Sequence, residues 1–195
     1  MGNLRSVFNS CQKVGFNAEI VDNASALKNY DKLILPGVGA FPDAIKHLKD
    51  SGMFDEIKIL SNKIPLLGVC LGMQLLFDRG FEHEKCEGLG LISGDVVKFD
   101  KSQVSKHEKI PQMGWNKIFI KKDSKLMNDI ENESYLYFVH SFHAVCNEES
   151  DVLATTHYGY EFVSAVQKEN IYGIQPHPEK SGETGLKILK NFLEL

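Results

Sequence analysis

A cysteine stands between two glycines in the stretch GVCLGMQ, residues 68–74. An apolar run precedes it, and a helix-like run follows with almost no loop between the two. A strand that turns at once into a helix strains the residue at the junction, and glycines two positions away on each side avoid clashes. Such a turn sets the sulfur at a helix N-terminus, where the helix dipole favours a thiolate. Cys70 is therefore a candidate nucleophile, and the alternative interpretation is a small buried core residue.

A cysteine nucleophile needs a base, and the best candidate lies in GIQPHPEKS, residues 173–181. His177 is held between two prolines after a buried-strand pattern, and Glu179 follows two residues later. In an extended chain both side chains leave the same face, so the carboxylate can orient and stabilise the imidazole. Alone, these residues would be interpreted as a loop histidine and a solvated glutamate. Together with Cys70 they predict a catalytic triad.

An acyl transfer at cysteine also needs hydrogen-bond donors for the oxyanion. The backbone amide of Leu71, at the start of the predicted helix, is one natural donor. The stretch LPGVGAF, residues 35–41, offers a second, because two glycines after a buried strand let Val38 or Gly39 turn an amide inward. A phosphate-binding loop is the rival interpretation, but GVGAFP lacks the third glycine and the Lys-Ser/Thr ending of such loops.

The elements that must position these residues follow from the apolar pattern. The first half alternates helix-like and strand-like runs, which indicates a parallel sheet; the helices are 4–14, 42–52 and 71–80, and the strands are 18–21, 32–37 and 63–69. The second half predicts antiparallel strands at 95–99, 115–120, 134–139, 151–156, 162–167 and 171–175, then an amphipathic helix at 184–195 that covers the sheet. We therefore expect an α/β fold, a three-layer sandwich with a mixed, largely parallel central sheet and an added antiparallel section.

Composition limits the class of protein. The chain has 195 residues, 43% hydrophobic and 25% charged, which is enough for a single domain over 1–195 with a buried core. A net charge of −4 gives no reason to expect a nucleic-acid partner. With no signal-peptide core and no run near the roughly 18 apolar residues of a membrane helix, we expect a cytoplasmic protein without a membrane partner. Four scattered cysteines predict free thiols, and neither a metal nor another cofactor is expected.

Three motifs, PGVGAF, GVCLGMQLLF and HPEKS, occur in this order and resemble those of the class I, triad-type glutamine amidotransferases. The intervening PQMGWN, YFVHSFHA and YGYEFVSAVQKENIYGIQ are similar to one branch of that family, the glutaminase subunits of imidazole glycerol phosphate synthase. The likeness covers essentially the whole chain. It implies hydrolysis of L-glutamine to glutamate and ammonia through a γ-glutamyl thioester on Cys70, with His177 moving protons and Glu179 orienting it.

The same resemblance implies a set of residues that hold the amino and carboxylate groups of glutamine, together with backbone around Gly39. These residues are Gln74, Glu82, Ser141 and Phe142. From the residues alone, Gln74 is equally an exposed helix residue, and HSFH is equally a set of ordinary polar residues at a strand end.

The resemblance also implies a partner, because ammonia in this family passes into a (β/α)8-barrel cyclase subunit. That subunit uses it on a phosphoribosyl-linked substrate to make imidazole glycerol phosphate and an aminoimidazole carboxamide ribotide. This chain has no room for the barrel, so a separate subunit is implied. Met113, Trp115, Asn116 and Lys180 match positions that face it. The alternatives are a buried Trp115 and a solvated Lys180.

The chain departs from the family pattern at two places. It begins at MGNLRS, where the family has a preceding apolar strand, and this gives three hypotheses: a weakened fold, a swapped strand or a misplaced start codon. Pro176 stands where the family has a bulky aromatic residue. We expect it to remove a backbone hydrogen bond of the strand beside His177 without changing the role of that histidine.

Three alternative functions compete with this interpretation. No motif indicates the substrate cleft of a cysteine peptidase, and a non-catalytic scaffold with a degenerate amidotransferase fold has no need of all three triad residues. A closer alternative keeps the glutaminase and supplies ammonia to a sugar-modifying amidotransferase, because the partner chooses the acceptor.

Overall fold

The structure is a computed structural model, and it describes residues 2–106 and 108–195. Its helices are α1 Gly2–Lys13, α2 Ala24–Leu27, α3 Phe41–Asp50, α4 Met53–Leu60, α5 Leu71–Leu75 and α6 Gly182–Leu193. Its strands are β1 Leu33–Gly37, β2 Leu66–Cys70, β3 Phe77–Gly80, β4 Cys86–Glu87, β5 Ile92–Lys98, β6 Gln112–Lys117, β7 Phe119–Ile120, β8 Tyr135–His140, β9 Phe142–Cys146, β10 Val152–Tyr158, β11 Tyr160–Lys168 and β12 Ile171–Ile174. None of the described helices combines the length and apolar character that crossing a membrane requires.

Ten of the described strands form one mixed sheet with the order β1-β2-β12-β11-β9-β5-β3-β4, and β10 and β7 extend it from β11. β1, β2 and β12 run parallel side by side, and so do β3 and β5. The pairs that join these two groups, from β12 through β11 and β9 to β5, are antiparallel. β6 and β8 form a separate antiparallel ladder. The mixed sheet and the antiparallel section are confirmed, with a larger antiparallel share than expected.

Both faces of the sheet are buried. Neighbouring residues of a strand point to opposite faces, so one strand contributes to both clusters. Leu66 of β2 packs in the same cluster as Ile45 of α3. Leu67 and Val69 of β2 face the other side, where they pack in the same cluster as Ile188 of α6. Helices on both sides of one sheet give the predicted three layers.

Residues 18–21 are not a strand, so that prediction is wrong. Ile20 is 47% exposed, and no strand runs beside this segment among the described residues. A strand is stable only when a neighbour satisfies its backbone groups. The short strand-like run is present in the sequence, but here it has no pairing partner.

The predicted helix at 71–80 is also only partly correct. α5 ends at Leu75, and Phe77–Gly80 form β3, which pairs in parallel with β5. Phe77 is fully buried. Leu75, Leu76 and Phe77 form a short apolar run across the boundary, and periodicity cannot distinguish a buried helix from a buried strand in such a run.

β1 lies at one end of the sheet, and among the described residues it pairs only with β2. A cavity of about 700 Å³ lies beside it, lined by side chains that include Val7 and Phe8 of α1 and Leu33 and Ile34 of β1 itself. β1 therefore has an outer edge without a strand partner in the described part of the chain. The three hypotheses about a strand ahead of α1 stay predictions.

Candidate active site

The turn between β2 and α5 has the strained geometry that the spacing of its glycines predicted. Cys70 ends β2, and α5 begins at Leu71 without a loop. The φ of Cys70 is 55°, in the region that non-glycine residues avoid. A Cβ on Gly72 would lie 1.7 Å from the carbonyl oxygen of Leu35, and one on Gly68 would lie 2.6 Å from the carbonyl oxygen of Gly72. Close backbone packing therefore requires glycine at both positions.

His177 reaches Cys70 because β12 runs parallel to β2 and both strands end at the same edge of the sheet. Nδ1 of His177 lies 2.8 Å from Oε1 of Glu179, and the two side chains are 1% and 0% exposed. The side chain of Cys70 is also close enough to His177 to raise the pKa of its imidazole. The structure thus brings Cys70, His177 and Glu179 into one contact network.

The loop that carries His177 is fixed by bonds to β8. The hydroxyl of Ser181 donates to the carbonyl oxygen of His177 at 2.6 Å and accepts from the backbone amide of Tyr137 at 2.9 Å. The backbone amide of His177 donates to the carbonyl oxygen of Tyr137 at 2.8 Å. β12 has already ended at Ile174, before Pro176. The position of the imidazole therefore depends on β8 rather than on strand pairing.

His177 carries a positive charge near neutral pH. Burial alone would lower the pKa of His177, but hydrogen bonds to Cys70 and Glu179, together with the charges of both groups, raise it from 6.5 to about 9. Oε2 of Glu179 is buried and has no hydrogen-bond partner among the described residues. The carboxylate therefore binds the imidazole through Oε1 alone.

A cavity of about 310 Å³ opens at Cys70 and His177, which is a volume typical of small-molecule sites. It is lined by every residue predicted for the oxyanion or for substrate binding: Val38, Gly39, Leu71, Gln74, Glu82, Ser141 and Phe142. The larger cavity beside β1 contains none of them. The structure therefore gathers the predicted triad and its predicted surroundings at one place.

The segment that follows β1 is held against this cavity. Gly39 has a φ of 106°, and no atom lies within 4 Å of the position where its Cβ would be. Val38 is 56% exposed. The carboxylate of Glu82 accepts a hydrogen bond from the backbone amide of Phe41, the first residue of α3, at 2.8 Å. Glu82 thus caps α3 as well as lining the cavity.

Two buried glutamines connect Cys70 with the far wall of the cavity. Nε2 of Gln74 donates to the carbonyl oxygen of Phe142 at 3.0 Å and to Oε1 of Gln175 at 2.9 Å. Nε2 of Gln175 lies 3.7 Å from the sulfur of Cys70. Gln74 is 5% exposed, so its interpretation as an exposed helix residue is wrong. Sequence reasoning missed Gln175, whose only available signal was its place two residues before His177.

His140 closes the same wall. Its Nδ1 lies 2.7 Å from the carbonyl oxygen of Phe142, and its Nε2 lies 2.9 Å from the side-chain oxygen Oε1 of Gln112. Burial lowers the pKa of His140 to about 3, so the ring is neutral. Among the described residues, no group of three or more His, Cys, Asp and Glu side chains is arranged to hold a metal ion.

Three of the predicted interface residues, Met113, Trp115 and Lys180, lie around Tyr137. We call the surface formed by these four residues the β6–β8 face. Met113 and Trp115 are 66% and 55% exposed. The rings of Trp115 and Tyr137 are 6.1 Å apart, and Nζ of Lys180 lies 5.9 Å from the ring of Tyr137. The alternative of a buried Trp115 is therefore wrong.

The fourth interface residue has a different setting. Asn116 follows Trp115 on β6, and its side-chain amide donates to the carbonyl oxygen of His157 on β10 at 2.8 Å. Val139 pairs with Met113 and also lines the small cavity. The β6–β8 face is therefore continuous with the cavity, whereas Asn116 ties β6 to β10.

Comparison with known proteins identifies the family. The family model for class-I glutamine amidotransferases matches residues 1–195. The chain belongs to the class-I glutamine amidotransferases. Two relatives of this amidotransferase are named imidazole glycerol phosphate synthase subunit HisH. The protein of Wolinella succinogenes is 53% identical over 100% of this chain and 96% of its own length, and that of Sulfurimonas denitrificans is 54% identical over 98% and 93%.

Solved structures share the fold of this amidotransferase. A crystal structure of a glutamine amidotransferase has a TM-score of 0.71 at 18% identity, and the likeness covers 97% of this chain and 92% of that chain. The glutaminase domain of Trypanosoma brucei CTPS has a TM-score of 0.60 at 16% identity, over 99% and 88%. At such identities the likeness shows the fold alone.

Proposed function

We propose that this chain is the glutaminase subunit of an imidazole glycerol phosphate synthase, acting in cytoplasmic histidine biosynthesis. The observation that carries the proposal is the contact network of Cys70, His177 and Glu179 at a cavity of about 310 Å³. Membership of the amidotransferase family supports L-glutamine as the substrate, and the names of the full-length relatives support the synthase.

In the proposed first step, the thiolate of Cys70 attacks the γ-carboxamide carbon of glutamine. The developing oxyanion accepts hydrogen bonds from the backbone amides of Leu71 and of Val38 or Gly39. The protonated ring of His177 delivers its proton to the amide nitrogen as the C–N bond breaks. Ammonia leaves, and a γ-glutamyl thioester remains on Cys70.

In the second step, the now neutral His177 takes a proton from a water molecule whose oxygen attacks the thioester carbon. The C–S bond breaks, Cys70 leaves as a thiolate and glutamate is released. Glu179 binds Nδ1 throughout, which keeps Nε2 of His177 directed to the reacting groups. The cycle ends with the imidazolium restored.

The remaining cavity residues hold the amino-acid end of the substrate. Gln74 and Glu82 offer oxygen atoms to its ammonium group, and the backbone around Gly39, Ser141 and Phe142 lies within the same cavity. This arrangement holds the γ-amide over Cys70, so the attack of the sulfur becomes effectively unimolecular.

The ammonia passes to a (β/α)8-barrel cyclase subunit that docks on the β6–β8 face. The support is an exposed apolar surface, with Met113 and Trp115 at its centre and Lys180 beside it, that continues to the cavity through Val139. Aromatic and methionine side chains of this kind are enriched where proteins associate.

Glutamate release tests this proposal when the purified chain is measured alone and then with a histidine-pathway cyclase subunit carrying its nucleotide ligand. We expect low turnover alone and strong stimulation in the complex, because partner binding turns the amides at Val38 and Gly39 toward the oxyanion. Cys70→Ser is the control that should remove both activities.

Two results would contradict the proposal. Absence of stimulation with both proteins folded would indicate a different ammonia acceptor. High glutamate release by the isolated chain would overturn the gating part of the proposal.

A further inference from the structure

One backbone carbonyl fixes the orientation of the amides beside Cys70. The carbonyl oxygen of Phe142 lies 2.7 Å from Nδ1 of His140 and 3.0 Å from the terminal amide group of Gln74. A carbonyl oxygen only accepts hydrogen bonds, so Gln74 must donate to it and directs its NH₂ group at Phe142.

The second hydrogen of that NH₂ group sets the orientation of Gln175. Gln74 donates it to Oε1 of Gln175 at 2.9 Å, so Gln175 presents its oxygen to Gln74 and its own NH₂ group to the opposite side. On that side lies the sulfur of Cys70, 3.7 Å away. Gln175 is fully buried, so its amide finds no water with which to exchange these partners.

We infer that Gln175 is a positioning residue that couples the nucleophile to the substrate-binding amide of Gln74. The inference deepens the proposed glutaminase function and rests on it. At one end, the N–H of Gln175 stabilises negative charge on the sulfur of Cys70. At the other end, Gln175 and Phe142 occupy both hydrogens of Gln74, which leaves the oxygen of Gln74 as an acceptor for the ammonium group of glutamine.

Two reagents that modify Cys70 distinguish the effect of Gln175 on the sulfur from its effect on Gln74. Iodoacetamide reacts with the sulfur but carries no amino-acid groups, whereas a diazoketone analogue of glutamine carries both the ammonium and the carboxylate. Peptide mass spectrometry locates the label among the four cysteines. The measured quantity is the rate of labelling at Cys70 by each reagent. The ratio of the diazoketone rate to the iodoacetamide rate reports recognition of the amino-acid end of glutamine.

Four variants complete the design. Gln175→Met keeps the length of the side chain and removes both hydrogen bonds, while Gln175→Glu keeps an oxygen that accepts from Gln74. Gln74→Met removes the substrate contact itself. Gln167→Met on β11 is the matched control, since Gln167 makes no contact with the triad and lies outside the cavity.

We expect Gln175→Met to slow the diazoketone at least about tenfold more than iodoacetamide, as fits the loss of a hydrogen bond to a charged group. Gln175→Glu should restore the ratio of the two rates, and Gln74→Met should slow the diazoketone alone. Combining Gln74→Met with Gln175→Met should change the ratio no further, because both act through one amide. Gln167→Met should leave both rates unchanged.

An unchanged ratio in a folded Gln175→Met variant, with the unsubstituted chain labelled by both reagents, would overturn this inference and leave the proposed function standing. Failure of the diazoketone to label Cys70 in the unsubstituted chain would instead overturn the proposed function, and the inference with it.

Discussion

His177 is a residue on which burial and hydrogen bonding act in opposite directions. Burial favours a neutral ring, whereas bonds to Cys70 and Glu179 favour the cation and prevail. The reaction needs this outcome, because the leaving amide nitrogen takes its proton from the ring. The same pair of bonds that directs the imidazole therefore also sets its charge.

A pH dependence of stability follows from the raised pKa of His177. The pKa is about 9 in the folded chain and 6.5 in the absence of these contacts, so the folded state holds an extra proton between these values. The stabilisation is fully present below pH 6.5 and is lost as the pH rises through 9. In urea unfolding, the free-energy difference between the unsubstituted chain and His177→Asn should shrink over that window, and a difference that grows with pH would contradict the assignment.

The triad was predictable from sequence because its chemistry restricts the residue types. A thiol, an imidazole and a carboxylate at this spacing from glycines and prolines are typical of a nucleophilic site at a strand-to-helix turn. Gln175 had no such signature, because a buried glutamine just after the end of β12 takes its role from a partner on α5 that is distant in sequence. Its function depends on contacts, which no local pattern encodes.

The junction of β2 with α5 is the element that sets the sulfur. Gly72 packs directly on the backbone of β1, while Gly37 on β1 packs on Gly72 in return. A strand-to-helix turn of this kind is built by two neighbouring strands rather than by the local sequence alone. Its stability is therefore linked to the attachment of β1 to the sheet.

Substitution of these two glycines tests the packing. Gly72→Ala should destabilise the chain by about 4 kcal/mol or more, because its Cβ would lie 1.7 Å from the carbonyl oxygen of Leu35. Gly37→Ala should cost less, because its nearest contacts are at 3.0 Å. Chemical unfolding measures both, and a Gly72→Ala variant as stable as Gly37→Ala would show that β1 and α5 are not so closely packed.

The elements that were predicted wrongly share a physical cause. Residues 18–21 have a strand-like pattern but no strand beside them in the described part of the chain, and residues 77–80 continue a helix-like apolar run but pair with β5. Strand formation depends on a neighbour that is distant in sequence, whereas the pattern reports only burial. β2 and β12 were predicted well because a strand buried on both faces reads as a continuous apolar run.

At the scale of the whole molecule, the β6–β8 face is where the chain shows large apolar side chains next to its small cavity. Trp115→Ala should weaken association with the cyclase subunit about tenfold or more, since exposed tryptophans are frequent hot spots of binding. Titration calorimetry measures the effect. Ile59→Ala on α4, at 52% exposure, is the matched control and should leave the affinity unchanged, and an equal loss in both would contradict the assignment of the face.

The outer edge of β1 has no strand partner among the described residues, and an unpaired edge is a place where a second chain can add a strand. The amide of Leu33 donates to β2, so by alternation the amide positions of Ile34 and Pro36 face outward. Pro36 has no hydrogen to donate, which interrupts the ladder that a second chain would need. Pro36→Val should therefore raise the light scattering of concentrated solutions, while Pro42→Ala on α3 should not. We therefore expect Pro36 to oppose aggregation through this edge, and an unchanged light scattering of Pro36→Val would contradict that expectation.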